Sequence, residues 1–276
     1  MNIPSLYDDY KKFERIIKRY EWGSSSLDVS NERFLAPTTL IPLLCFSKNN
    51  NISNIATHYN THDYIKRIIE GKTTSTTTPY QILPKSPKER QDSELSLKMA
   101  NLIKPDYGGF YVLYHILSEL TNNIYNHTPF EEDLASYGYT YAQEFPNLLK
   151  EDICVMDDGL SIPGRFSKSG IEYVDDCHAI QLAINNNSTA SSNKEERGNG
   201  LWTTIRLVVE GNGGEVLIVS RNGCLHIKSL DHYKYYHLNN GDYFKGTLIS
   251  VRLNKKEVQN IRNLIEVFPG LRYEYK

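Results

Sequence analysis

Two apolar runs, GEVLIVS at 214–220 and CLHIKSL at 224–230, are separated only by Arg221, Asn222 and Gly223. Three residues can close a hairpin, whereas a parallel crossover needs a dozen or more. This stretch is therefore committed to antiparallel pairing. Residues 137–145 alternate as a strand does, 151–156 (EDICVM) form another apolar run, and GTLISVRL at 246–253 reads as a final buried strand. Helical spacing separates these runs. Tyr111, Leu113, Ile116, Leu117, Leu120 and Ile124 predict a strong helix over 108–127. A second helix is predicted over 201–211, directly after Gly198-Asn199-Gly200, and a terminal one over 254–267. Helices interspersed with antiparallel strands predict an α+β fold: a two-layer sandwich of a mostly antiparallel sheet with helices on one face.

The first 94 residues read differently. Leu6, Tyr10, Phe13, Ile16, Ile17 and Tyr20 recur at spacings of three and four, predicting an amphipathic helix over 5–21. Residues 26–46 read as a short strand, a turn and an apolar helix opening at Pro37, where a missing N–H costs nothing. A short helix is predicted over 61–70. Residues 71–94 are rich in Thr, Pro and Lys and predict a linker or long exposed loop. The expected organisation is a small mixed N-terminal region, 1–94, followed by a larger domain, 95–276.

With 39% hydrophobic and 23% charged residues over 276 positions, the chain can build a substantial core. Thirty-one basic against 33 acidic side chains leave a net charge of −2. That balance argues against a polyanion-binding surface, so no nucleic-acid partner is expected. No run approaches the roughly 18 apolar residues that span a bilayer, and residues 1–20 carry charge throughout with no apolar h-region. No membrane association and a cytoplasmic location are expected. Cys45, Cys154, Cys177 and Cys224 are far apart and form no C-x-x-C pair, so they are read as apolar packing.

Several short motifs fail on spacing. Gly71-Lys72-Thr73 has the tail of a P-loop, but Lys66 stands where its first glycine belongs. Gly198 and Gly200 begin a dinucleotide fingerprint that Thr203 breaks. His58 and His62 are four apart with no third ligand in view and are read as surface residues.

Three other segments carry chemistry. In Ser118-Glu119-Leu120-Thr121-Asn122-Asn123, Glu119 and Asn123 lie one helical turn apart on one face. A carboxylate there can activate a nucleophile, and an amide oxygen can ligate Mg²⁺. In Val155-Met156-Asp157-Asp158-Gly159, an apolar strand ends at an acidic pair and a glycine, placing a carboxylate where it can accept from an exocyclic amine. In Glu196-Arg197-Gly198-Asn199-Gly200-Leu201, glycines and a helix start offer backbone N–H groups to a phosphate. Singly, the first is far more often a solvated helix face, the second reads better as an ordinary Asp-Gly turn, and the third can be a glycine-rich loop between elements.

In this order, and with Gly246-Thr247 after them, the segments resemble the GHKL ATP-binding fold of gyrase, heat-shock chaperones, sensor histidine kinases and mismatch-repair ATPases. The resemblance covers about residues 95–254. Ser118, Glu119, Asn123 and His127 match the S-E-x-x-x-N-x-x-x-H helix of anti-sigma-factor serine kinases, and Glu196-Arg197-Gly198-Asn199-Gly200 echoes the end of their lid. Sensor histidine kinases usually carry Asn where Glu119 stands. The departure is Ser161, which replaces the second glycine of D-x-G-x-G. Residues 164–197, with the Asn/Ser/Thr-rich run 185–193, would be the mobile lid.

The resemblance implies ATP and Mg²⁺ as cofactors. Asp157 would read adenine at the Gly159 turn, with Thr247 supporting it through water. Asn123 would hold the metal. Gly198, Gly200 and the helix start at Leu201 would wrap the phosphates, Arg197 would reach the terminal one, and Glu119 would be the general base. The implied activity is that of an ATPase or serine/threonine protein kinase acting on a regulatory protein partner. A nucleotide-gated interaction module with little turnover and a dimerising ATP clamp are the alternatives, and a homodimer stays open. The step from Leu27-Asp28-Val29-Ser30 into Phe34–Leu40 resembles the strand–helix step of STAS domains. That likeness would make Thr38 or Thr39 a phospho-acceptor.

Overall fold

The computed structural model describes residues 3–72, 74–78, 81–83, 92–127, 138–185, 200–241 and 244–266. The hairpin forms as its spacing requires. Strands β6 (Glu215–Ser220) and β7 (Gly223–Ser229) pair antiparallel, with Ser220 opposite Gly223. Around them lie β3 (Gln81–Leu83), β4 (Gly138–Phe145), β5 (Lys150–Asp157), β8 (His232–His237) and β9 (Thr247–Asn254). They complete a seven-stranded sheet in the order β3-β4-β5-β9-β6-β7-β8, antiparallel at every step. Among the described residues, the last strand in sequence thus lies at the centre of the sheet.

Alternation divides the side chains of these strands between two cores. Ile153, Val155, Val216, Ile218, Leu225, Ile249 and Val251 face one side. Helices α4 (Asp92–Leu102), α5 (Phe110–His127) and α8 (Gly200–Arg206) bury their apolar residues there, Met99, Leu113, Ile116, Leu117, Leu120, Trp202 and Ile205 among them. α8 runs on through a π-helical turn over Leu207–Gly211. The expected α+β pairing of an antiparallel sheet with helices on one face is met by this half of the molecule.

The opposite face is also covered. Tyr139, Tyr141, Cys154, Met156, Leu217, Val219 and Leu248 pack against α1 (Leu6–Ile17) and α2 (Pro37–Asn49). A capping box between Ser5 and Asp8 starts α1. Residues 37–47 of α2 are all buried, as expected for a helix apolar around its whole circumference. Flanking α2, β1 (Ser26–Val29) and β2 (Asn54–Thr57) pair in parallel, and α3 (Tyr59–Ile69) follows. The N-terminal region is therefore a third layer on the sheet.

Three expectations need correction. The predicted linker, 71–94, contributes β3 to the sheet edge and begins α4, and the Thr78 N–H donates to the Ala142 carbonyl at 3.0 Å. The strand is only three residues, Gln81-Ile82-Leu83, too short for alternation to mark it in a polar stretch. The predicted lid begins with two ordered helices, α6 (Ser161–Lys168) and α7 (Asp176–Ile184). α7 is capped by Asp175 and buries Cys177, Ile180 and Ile184. The terminal helix α9, Ile261–Glu266, starts seven residues later than predicted.

Arg252 joins the N-terminal layer to the sheet. Its side chain on β9 is buried, and it donates to both carboxylate oxygens of Asp152 at 2.6 and 2.7 Å, to Glu215 at 2.9 Å and to Asp9 of α1 at 3.1 Å. It also donates to the Pro4 carbonyl at 2.5 Å. His226 adds a 2.7 Å contact to Glu215. Burial pushes the Asp9 carboxyl up to about 7 against the pull of Arg252.

Removing one partner of a buried ion pair typically costs about 3–5 kcal/mol. Arg252→Met should lower the urea midpoint of unfolding by a corresponding amount. Asp9 should also leave a pH signature. Between the ordinary aspartate value of about 4 and about 7, the folded chain keeps a proton that the unfolded chain has lost. Stability of the wild type relative to Asp9→Asn should therefore fall as pH rises through that window and level off above it. Urea titrations across the window check this, and a flat difference would remove Asp9 from the linkage.

Candidate functional site

Strand register assembles the first group of candidate residues. Asp157 at the end of β5 lies opposite Thr247 of β9, and Thr247 lies opposite Ser220 of β6. All three have the alternation phase of Ile153, Ile249 and Ile218, so they lie on the helix-covered face. The Asp157 carboxylate accepts from the Gly159 N–H at 2.8 Å. Burial pushes this carboxyl up to about 7, opposed by the backbone N–H groups of Gly159 and Thr247. The Ser220 and Thr247 hydroxyls lie 2.9 Å apart, and Ser220 Oγ accepts from the Ile162 N–H at 2.9 Å. Gly246 is required here, because a Cβ would lie 1.8 Å from the Asp157 carbonyl oxygen. The row is a half-buried carboxyl beside two hydroxyls, suited to a ligand that offers an amine.

The turn after Asp157 is strained at Ser161. Ser161 has φ +70°, a region that favours glycine. Its Oγ accepts from the Gly164 N–H at 3.2 Å, a local compensation. On the other side of the turn, Asp158 accepts from Asn49 Nδ2 of α2 at 3.1 Å, linking it directly to the N-terminal layer.

A second group of candidate residues lies on α5. Glu119 and Asn123 are both half-buried, on the flank left by Leu113, Ile116, Leu117 and Leu120, which face the sheet. The start of α8 meets this flank. A Cβ on Gly200 would lie 1.8 Å from a Glu119 carboxylate oxygen, so the glycine lets the backbone approach the acid. Leu201 packs its side chain against the helix-side core. The structure thus brings Glu119 to Gly200 and Asp157 to Thr247, two pairs remote in sequence. Arg197 and Gly198 lie outside the described residues, as does the His127 side chain.

Ser220 and the Asn49–Asp158 contact escaped sequence reasoning. A lone serine at a strand end has no signature, although its place opposite Thr247 follows once strand register is known. Thr38 and Thr39 are fully buried. Thr38 Oγ1 lies 2.6 Å from Ser250 Oγ, and Thr39 Oγ1 donates to the Asp9 carbonyl at 2.7 Å. Both hydroxyls are enclosed between α2 and its neighbours and do not face solvent. Among the described residues, no helix is long and apolar enough to cross a membrane. No protein-family model matches the chain, and no curated protein matches it.

The strain at Ser161 can be measured with two variants that both lack the hydroxyl. Ser161→Gly should be more stable than Ser161→Ala by about 1–2 kcal/mol, the cost of the left-handed region for a residue with a Cβ. Denaturant unfolding of the pair checks it. Equal stability would mean that the turn relaxes without cost.

Proposed function

We propose that this chain is a Mg²⁺-dependent ATP-binding regulatory protein of the GHKL type, working as an ATPase or serine/threonine protein kinase. The observation that carries this reading is the Asp157–Thr247–Ser220 row, with Gly246 held against the Asp157 backbone. Asp157 presents an acceptor to the adenine amine, and the paired hydroxyls can hold a water beside it. Oxygen donors at Glu119 and Asn123 fit a hard cation, so Asn123 is assigned to Mg²⁺. When bound, Mg²⁺ would neutralise charge on the phosphates. Glu119 would take the proton from the attacking water or hydroxyl, and Gly200 with Leu201 would present the first N–H groups of α8 to phosphate oxygens. Phosphoryl transfer needs mainly positioning and charge neutralisation, which this set can supply.

One contact favours a second reading, a nucleotide-gated interaction module. Asn49 holds Asp158, the neighbour of the proposed adenine reader. Occupancy of the turn could thereby be felt by α2 and its layer. In that case ATP alters the N-terminal layer with little turnover.

Three variants test these assignments. Asp157→Asn should weaken ATP binding by about 10–100-fold, the range for a lost charged hydrogen bond, and GTP should compete poorly with the wild type. Equal affinities for ATP and GTP in calorimetry would reject the adenine reader. Asn123→Ala should remove the metal dependence of ATP binding more than binding itself, read as titrations with and without chelator. Glu119→Gln should bind ATP nearly normally and lose about 10²–10⁴ in single-turnover rate. Wild-type turnover in that variant would exclude Glu119 from the chemistry. No turnover in the wild type, with ATP-dependent protection of α2 in hydrogen exchange, would favour the gated module.

A further inference from the structure

The row that holds Asp157, Thr247 and Ser220 continues across the sheet. Ser220 lies opposite Gly223, and Gly223 opposite His237 at the end of β8. Three strand spacings separate Thr247 from His237, about 14 Å. At this far end the N-terminus of α7 seats on the hairpin. Gly223 makes the seat possible, because a Cβ there would lie 2.6 Å from the Asp176 backbone. The Asn222 N–H donates to Asp176 Oδ2 at 3.0 Å and fixes the same junction.

Three side chains of different chemistry converge there. Asp175, Cys177 and His237 each offer a ligand atom, and these atoms all lie within 4.8 Å of one another. Cys177 Sγ is 3.9 Å from His237 Nδ1. Ligands of a tetrahedral zinc ion, at about 2.0–2.3 Å from the metal, stand roughly 3.5 Å apart. We propose that Asp175, Cys177 and His237 form a zinc site that staples α7 to the β7–β8 edge of the sheet.

The donor set selects the metal. Thiolate and imidazole exclude Mg²⁺ and Ca²⁺, which take oxygen, while a mixed sulfur, nitrogen and oxygen set suits Zn²⁺. The ligands are also oriented. Asp175 caps α7 by accepting from the His178 N–H at 2.8 Å through one oxygen, Oδ1. The Cys224 N–H donates to Cys177 Sγ. Burial pushes the Cys177 thiol up to about 11, so the sulfur carries its proton until a metal displaces it. In the metal-free chain the Cys177 thiol donates to the Tyr236 carbonyl at 3.3 Å. On binding, its S–H bond breaks, the proton passes to water and a Zn–S bond forms. Three protein ligands leave the fourth position to water. The site is independent of the nucleotide reading and needs neither Glu119 nor Asp157.

The test uses the full chain, stripped with chelator and titrated with Co²⁺. One equivalent should produce a sulfur-to-cobalt charge-transfer band with the intense visible absorption of tetrahedral Co²⁺, and Zn²⁺ should displace both. Cys177→Ser should abolish the charge-transfer band. Cys224→Ala should keep it. His237→Ala, at an exposed position, and Asp175→Asn, which retains the helix cap, should each weaken binding by at least about 10–100-fold, the cost of losing even an outer-shell partner. These two variants keep the test decisive if Cys177→Ser does not fold. Absence of the band at stoichiometric Co²⁺, its persistence in Cys177→Ser, or unchanged affinity in both His237→Ala and Asp175→Asn would overturn the proposal.

Discussion

A buried guanidinium fixes how the third layer sits on the sheet. Arg252 sits on the central strand and is shared by Asp152 from the neighbouring strand, Glu215 from the strand on its other side and Asp9 from the first helix. The desolvation of such a cluster is costly, so its retention is weak evidence of added stability and better evidence of specified geometry. An apolar interface between α1 and the sheet could slide. A fork that must meet several carboxylates at once fixes where α1 sits. Thr38 against Ser250, two residues earlier on the same strand, sets α2 in the same way.

This placement matters for the candidate site, because the strands that carry the ion cluster on one face carry the Asp157 row on the other. β5 and β9 contribute Asp152 and Arg252 toward the N-terminal layer, and Asp157 and Thr247 toward the helices. The Asn49–Asp158 contact then bridges α2 to the turn itself. A ligand that reorders the turn would act on a contact already made by the N-terminal layer. This is a physical route from the turn to α2 and its layer.

Much of this was legible in the residues. The 221–223 gap between apolar runs dictates the hairpin, and the spacing in 108–127 gives α5. What escaped was polar and non-local. The Thr-rich edge around β3 has no apolar alternation. α6 and α7 lie in a segment whose composition reads as loop, and only their contacts with the sheet make them worth forming. Asp175 and Cys177 are some sixty residues from His237, a spacing that no local pattern records. The third layer was hidden because residues 1–94 look self-sufficient by period alone, while Asp9, their most telling residue, is one carboxylate among many on an amphipathic helix.

The central position of the last strand has a consequence for synthesis on the ribosome. β5 and β6 cannot become sheet neighbours of their own accord, since β9 lies between them. Until residue 254 has left the exit tunnel, β5 and β6 lack the strand that lies between them, and Asp9 and Asp152 lack Arg252. Non-local pairing of this kind is slow and leaves unpaired edges exposed. Arrival of β9 closes both edges, neutralises the buried acids and sets Thr247 beside Asp157 in one event. The Asp157–Thr247–Ser220 row is therefore among the last parts of the described fold to exist during its birth, and a chain stalled before β9 would present edges open to other nascent chains.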